Sequence, residues 1–197
     1  MNRTRAAILL LTLGCSVAAF AFVGCSRPTP PTPASASPSA PLPDKPLTKS
    51  ELKQLVEKIG RATLAGDMDT VIDSTYPAII DAIGGRKKMV VTMEKIAKDM
   101  KANGLAFASY DVGEPGDFQT EGGNTFTVVP SKLEITSADT KMVIDSFLLG
   151  ISPNGGRSWT FIDGGGLKDK KVADKVLPKL PAGLRLPQVN EPKLMPK

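Results

Sequence analysis

The spacing of the apolar residues changes once along this chain, at Gly104, and this change constrains the fold more than any other feature. From Thr48 to Asn103, apolar side chains recur every three to four residues, which is the spacing of amphipathic helices. After it they alternate or run continuously, as in strands. A block of helices followed by a block of strands predicts an α+β domain, with N-terminal helices packed on an antiparallel sheet of about four strands.

Three helices are predicted in the first block. The first covers Thr48–Ala65, where Thr48 and Glu51 form a capping box. Asp67 is placed to cap a short second helix, which Pro77 breaks or kinks. The third runs from about Arg86 to Asn103, and we expect its apolar stripe to be core: Met89, Met93, Ile96, Ala97 and Met100.

Four strand regions are predicted in the second block. They are Leu105–Val112, Asn124–Ile135, Lys141–Ser152 and Arg157–Asp163. Pro130 suggests that the second is an edge strand or contains a bulge. The third is apolar on both faces, as expected of a central strand covered on both sides. A helical turn is predicted near Lys171–Val176, before a Pro-rich tail over residues 186–197.

Residues 1–24 have the layout of an export signal, in which Arg3 and Arg5 precede the apolar stretch Ala6–Val23. This stretch is also long enough for a retained transmembrane anchor. The segment around Phe22-Val23-Gly24-Cys25 resembles the lipobox of bacterial lipoproteins, although Leu is more usual than Phe at its first position. The resemblance implies cleavage before Cys25, attachment of acyl chains to it and a location in the cell envelope. Ser26 then favours the outer membrane, facing the periplasm, if the host has two membranes.

Residues 25–47 are predicted to be a tether between Cys25 and a folded domain at 48–185. They contain eight prolines among Ser, Thr and Ala, a composition that cannot build a core. At about 3.1 Å per residue, an extended segment of this kind reaches up to roughly 70 Å. A docking ligand or a glycosylated stalk is the alternative interpretation.

The composition removes several kinds of chemistry. The chain has no histidine, and its two cysteines, Cys15 and Cys25, both lie in or just after the apolar stretch. Histidine or thiolate metal sites and Ser-His or Cys-His catalysis are therefore excluded from the folded part. We expect no cofactor, no metal and no assigned catalytic residue. The net charge of +5 is scattered, so no nucleic-acid partner is expected.

Helices followed by an antiparallel sheet resemble the NTF2-like fold, a cone with a curved sheet that also houses ketosteroid isomerases. Two segments carry the resemblance over about residues 48–165: Gly66-Asp67 at the entry to the second helix, and Ser158-Trp159-Thr160-Phe161 in the last strand. The resemblance implies a pocket at the wide end of the cone. The superfamily contains binding modules as well as enzymes, so the fold alone does not give the function.

Four residues are candidates to line such a pocket: Tyr76, Asp145, Trp159 and Phe161. Asp145 shares a strand face with apolar residues, and burial there would raise its pKa; the alternative is a solvated face or a basic partner. Tyr76 offers a phenol hydroxyl, but next to Pro77 it also fits a packing role. Trp159 and Phe161 share a face, and core packing accounts for both.

Three functions are compatible with these features. The first, which we expect, is a non-catalytic envelope lipoprotein that binds a small apolar ligand or a protein partner. The second is an isomerase or hydratase that uses Asp145 with Tyr76 inside one cavity. The third is a structural assembly factor, which would expose an apolar patch and form a homodimer.

Overall fold

A computed structural model describes residues 44–196, and the predictions for residues 1–24, for Cys25 and for the tether up to residue 43 lie outside this range. Eleven helices and strands and one 3-10 turn follow in chain order. They are α1 (Lys49–Ala65), α2 (Met68–Asp73), α3 (Pro77–Ile83), α4 (Arg86–Ala102), β1 (Ala106–Val112), β2 (Gln119–Glu121), β3 (Asn124–Thr136), β4 (Thr140–Ser152), β5 (Thr160–Asp163), the 3-10 turn Gly164–Leu167, α5 (Lys170–Val176) and β6 (Lys193–Pro196).

The start of α1 is as predicted. The Thr48 side chain accepts a hydrogen bond from the Glu51 backbone N–H, while the Glu51 carboxylate accepts one from the Thr48 backbone N–H at 2.8 Å. The two groups satisfy backbone donors that the first turn of a helix leaves free. At the other end Gly66 adopts a left-handed conformation with φ 73°, which ends the helix.

Four helices, rather than the three predicted, precede the sheet. Asp67 caps α2 by accepting a hydrogen bond from the Thr70 backbone N–H, as expected. α2 ends at Asp73, and Pro77 starts a new helix, because proline has no N–H to donate but fits the first turn. The Thr75 backbone bridges to Phe161, which ties this break to β5.

The apolar stripe of α4 was predicted to be core, and this is wrong for most of it. Met100 is the one stripe residue that is buried, at 8% exposure. Met89 and Met93 are half-buried, whereas Ala97 is exposed and Ile96 keeps 49% of its surface exposed. The 3.6-residue period identifies the apolar face correctly, but the rest of the fold covers only its C-terminal turn fully.

The sheet is antiparallel and has six strands, whereas about four were predicted. Its main order is β1-β3-β4-β5, with β2 paired to β3 and β6 paired to β4. β4 is central and buried along most of its length, as expected. Arg157–Asp163 was predicted as the last strand, but β6 follows it, formed by the predicted Pro-rich tail and paired with Thr140–Val143.

Pro130 lies inside the sheet rather than on an edge. β3 is flanked by β1 and β4, and the Pro130 carbonyl accepts a hydrogen bond from the Gly113 backbone N–H at 2.8 Å. The carbonyl and nitrogen of a strand residue point to the same side, so the missing N–H of Pro130 faces the place where β1 has just ended. The one interstrand bond missing there is the reciprocal bond to the Gly113 carbonyl, which proline cannot donate. The irregularity that does occur lies in β1, between Phe107 and Ser109.

Apolar clusters cover both faces of the sheet. On one face, α1 packs over an upper cluster that includes Leu52, Val56 and Leu148, and Met100 of α4 packs on a lower cluster with Ile135 and Met142. On the other face, Phe147, Leu149 and their neighbours are covered by Tyr76, by Ile79 of α3, by Leu167 of the 3-10 turn and by side chains of the following segment: Leu177, Leu180, Leu184, Leu186 and Val189.

Candidate functional site

A row of polar side chains separates the upper and lower clusters on the helix-facing side of the sheet. We call it the polar row, and its members are Tyr110 of β1, Ser131 of β3, Ser146 of β4 and Asp163 of β5. Ser131 and Ser146 are direct cross-strand partners, and Tyr110 and Asp163 pair with Leu133 and Leu148 on the same face. One strand register therefore aligns residues that lie far apart in the sequence.

Tyr110 is held against α1 by a close approach at Gly60. A Cβ atom added at Gly60 would lie 3.0 Å from the Tyr110 Cγ and closer still to its Cδ1. Burial raises the pKa of Tyr110 to about 12; the nearby Ser131 hydroxyl opposes this shift, and the charge of Asp163 adds to it. Near neutral pH the phenol therefore keeps its proton and can donate a hydrogen bond.

Ser146 has a buried hydroxyl without a partner. Among the described residues, its Oγ is the one buried side-chain polar atom that makes no hydrogen bond within the protein. Leaving a buried hydroxyl unpaired costs about 1–3 kcal/mol, so such groups usually have a partner. The Ser146 Oγ therefore has the capacity to bind a polar atom that the protein itself does not supply.

Asp163 forms the end of the row on β5. Desolvation by the surrounding protein raises its pKa, while the backbone N–H groups of Gly165 and Gly166 and the Ser146 hydroxyl oppose the shift. The Gly165 N–H donates to the carboxylate at 2.7 Å, whereas the Ser146 hydroxyl lies near it without completing a hydrogen bond of ordinary geometry. The residue as a whole keeps an exposed surface, so water screens its charge and reaches this end of the row.

The lower cluster offers apolar surface next to these polar groups. Phe107, Leu133 and Ile144 surround its buried members but are themselves only partly buried. An apolar molecule that covers them gains about 25 cal/mol for each Å² it removes from water. Apolar side chains with a few aligned polar groups are the combination that lines sites for small, mostly apolar molecules.

Asp145 lies outside this site. It is on the opposite face of the sheet, in line with Phe147, and its side chain is 41% exposed. Lys193 of β6 donates a hydrogen bond to it at 2.8 Å and thereby lowers the pKa of Asp145 below its usual value. The raised pKa of a buried acid is not observed; the alternative, in which a basic residue pairs with Asp145, is the one observed.

The three aromatic candidates have packing positions. Tyr76 is half-buried and packs on the cluster of the opposite face, while its backbone N–H donates to the Phe161 carbonyl at 2.9 Å. Trp159 and Phe161 belong to the upper cluster at 6% and 5% exposure, as the core interpretation predicted. Gly150 lies beneath both rings. The Trp159 indole donates to the Gly156 carbonyl at 3.0 Å, so its polar atom is satisfied.

The polar row was not predicted from the sequence. Tyr110, Ser131, Ser146 and Asp163 stand in four different strands, and no local motif joins them. The available signal was strand alternation, because each of the two serines interrupts an apolar side of its strand. That signal becomes specific only once the register pairs Ser131 with Ser146.

Other features of the described residues do not add to the site. Between residues 44 and 196 no cluster of acidic or sulfur-containing side chains is arranged to hold a metal ion, and no helix is long and apolar enough to cross a membrane. A cleft of about 260 Å³ lies between the end of α1 and the start of α2, beside Lys58 and Arg61. It lies outside the polar row and is lined mostly by exposed side chains.

Comparisons with known proteins give no relative: no family model, no curated protein and no solved structure matches this chain.

Proposed function

We propose that this protein is a lipid-anchored envelope protein whose domain, of NTF2-like type, binds a small and mainly apolar molecule across the polar row. The observation that carries the binding proposal is the buried, unpartnered Oγ of Ser146 between two apolar clusters. The anchor rests on the sequence around Cys25, and the fold type on the order of helices and antiparallel strands.

The charges of the row indicate what kind of molecule fits. Tyr110 and Ser146 offer hydroxyl groups, and Asp163 adds a carboxylate at the open end. The surroundings of Asp163 disfavour negative charge, which is why its pKa is raised. A negatively charged ligand beside Asp163 would add to this unfavourable charge. We therefore expect an uncharged molecule. Its apolar body would lie over Phe107 and Leu133, and its single hydroxyl or similar group would lie at the row.

No catalytic role is proposed for Asp145 and Tyr76. Asp145 is exposed and paired with Lys193, and the Tyr76 ring packs among apolar side chains. An acid with a lowered pKa is a weak proton acceptor, so the isomerase or hydratase alternative has no support from this pair.

Ligand-dependent stability tests the proposal. Octan-1-ol is added to the full chain in lipid nanodiscs, and thermal unfolding is followed by near-ultraviolet circular dichroism. A ligand present at 100 times its Kd raises the free energy of unfolding by about 2.7 kcal/mol. Tyr110→Phe removes one hydroxyl of the row and should weaken this stabilisation, whereas the matched control Tyr76→Phe should not. Equal responses of both variants and the wild type would refute the site.

The anchor is tested separately by mass spectrometry of the N-terminus. We expect the first residue of the mature protein to be Cys25, carrying acyl chains. Unmodified residues upstream of Cys25 in the mature protein would refute lipidation and leave the ligand proposal intact.

A further inference from the structure

The outer face of α4 combines high positive charge with exposed apolar surface. The helix contains six basic and two acidic side chains, for a formal net charge of +4. Most of its residues are exposed, a few are half-buried, and only Met100 is buried. A basic amphipathic helix of this kind is typical of a membrane-surface element.

Most of this positive charge is not neutralised within the domain. Arg86 forms ion pairs with Asp69 and Asp73, and Lys95 pairs with Asp99 at 2.6 Å. In the part of the chain that the structure describes, no acidic group lies within ion-pair distance of the other four, which are Lys87, Lys88, Lys98 and Lys101.

An apolar residue stands in the middle of this basic face. Val91 is 63% exposed, the most exposed of the large apolar side chains that the structure describes. Lys87, Lys88, Lys95 and Lys98 lie four and three residues before it and four and seven after it, so helical spacing places all of them around it. Glu94 is also a neighbour and Lys95 pairs with Asp99, so Lys87, Lys88 and Lys98 carry the excess positive charge. We call Val91 and the four lysines the basic patch.

We propose that the basic patch contacts the surface of an anionic phospholipid membrane, with Val91 inserted between headgroups and Lys87, Lys88 and Lys98 paired with lipid phosphates. Charge complementarity selects this partner, since anionic leaflets attract lysines near their surface. The orientation of the domain rests on the proposed lipid anchor, which would keep the patch near a membrane within the reach of the tether. The opposite, half-buried face of α4 stays on the domain, so the contact needs no unfolding.

Spin labelling at the patch tests the contact. The full chain with Cys15→Ser and Cys25→Ser carries a nitroxide at Val91→Cys. Because Cys25→Ser removes the proposed site of lipid attachment, the apolar stretch Ala6–Val23 serves as the anchor in this variant. Accessibility of the label to oxygen and to a water-soluble nickel complex is measured on vesicles of phosphatidylcholine, with and without 30% phosphatidylglycerol. We expect the label to become protected from nickel only when phosphatidylglycerol is present. A label at Asp139→Cys, on the exposed β3–β4 turn, should stay accessible in both.

Charge reversal separates the patch from general attraction. Lys87→Glu with Lys98→Glu should abolish the nickel protection, since each lysine near an anionic surface contributes roughly fivefold to binding. Lys170→Glu with Lys171→Glu changes the net charge equally on exposed residues of α5 and should leave the protection intact. Equal effects of the two pairs would overturn the proposal.

The remaining outcomes are also decisive. Nickel protection without vesicles would show that the patch contacts a second copy of the chain. Unchanged accessibility of the label to nickel on vesicles with phosphatidylglycerol would show that the patch does not contact them. Either result overturns the proposal. Association with pure phosphatidylcholine vesicles reports on the apolar anchor alone. Binding to the anionic vesicles alone, with the label protected, would support the patch and would show that the apolar stretch does not anchor the chain.

Discussion

The close approach of Gly60 to Tyr110 leads to a prediction that runs against helix propensity. Replacing a glycine inside a helix by alanine usually stabilises it by about 1 kcal/mol. Here the new Cβ would lie 3.0 Å and 3.1 Å from the Tyr110 Cγ and Cε1, and nearer to Cδ1, where carbon atoms normally keep about 3.5–4.0 Å. Overpacking of this kind costs about 1–3 kcal/mol, so Gly60→Ala should lower the free energy of unfolding by roughly 1 kcal/mol.

A double-mutant cycle shows whether the ring is responsible. Tyr110→Val removes the two outer ring atoms concerned and suits a strand, so in that background Gly60→Ala should no longer destabilise the domain. Unfolding of the full chain in urea is followed by the fluorescence of Trp159, the single tryptophan, which is buried in the upper cluster. Stabilisation by Gly60→Ala with Tyr110 present would show that the ring does not pack on α1 as described.

Three further predictions concern single groups. Thr48→Ala removes the capping box and should lower the free energy of unfolding by about 1 kcal/mol, measured in urea. Asp145→Asn should leave the unfolding midpoint at pH 7 almost unchanged, because the pair with Lys193 is exposed; a large loss would contradict its surface position. Since Tyr110 keeps its proton to about pH 12 in the folded state but loses it near pH 10 when unfolded, stability should fall as pH rises from 10 to 12. Tyr110→Phe should lessen that fall, as measured by unfolding in urea across this range.

The local parts of the fold were predictable from the sequence because their causes are local. The capping box of α1, the Asp67 cap of α2 and the break at Pro77 depend on residues within a few positions of one another. Strand β4 was predictable for a similar reason, since a long apolar run fits a strand covered on both faces.

The parts that were missed depend on distant contacts. The period of α4 predicts an apolar face, but whether a partner covers Ile96 depends on where the sheet ends. The four residues of β6 include Pro196 and pair with β4 only after the tail has crossed the opposite face. The polar row needs the pairing of Ser131 with Ser146, which no spacing in the sequence specifies.

Fluorine NMR of the tyrosines tests for a ligand at the polar row. The chain has two tyrosines, Tyr76 and Tyr110, which lie on opposite faces of the sheet, so 3-fluorotyrosine places one probe at the polar row and one internal control away from it. The full chain in nanodiscs is titrated with octan-1-ol, and Tyr110→Phe assigns the signals. We predict a saturable shift of the Tyr110 resonance with no change at Tyr76. An unmoved Tyr110 resonance, or equal shifts of both, would contradict a ligand site at the polar row.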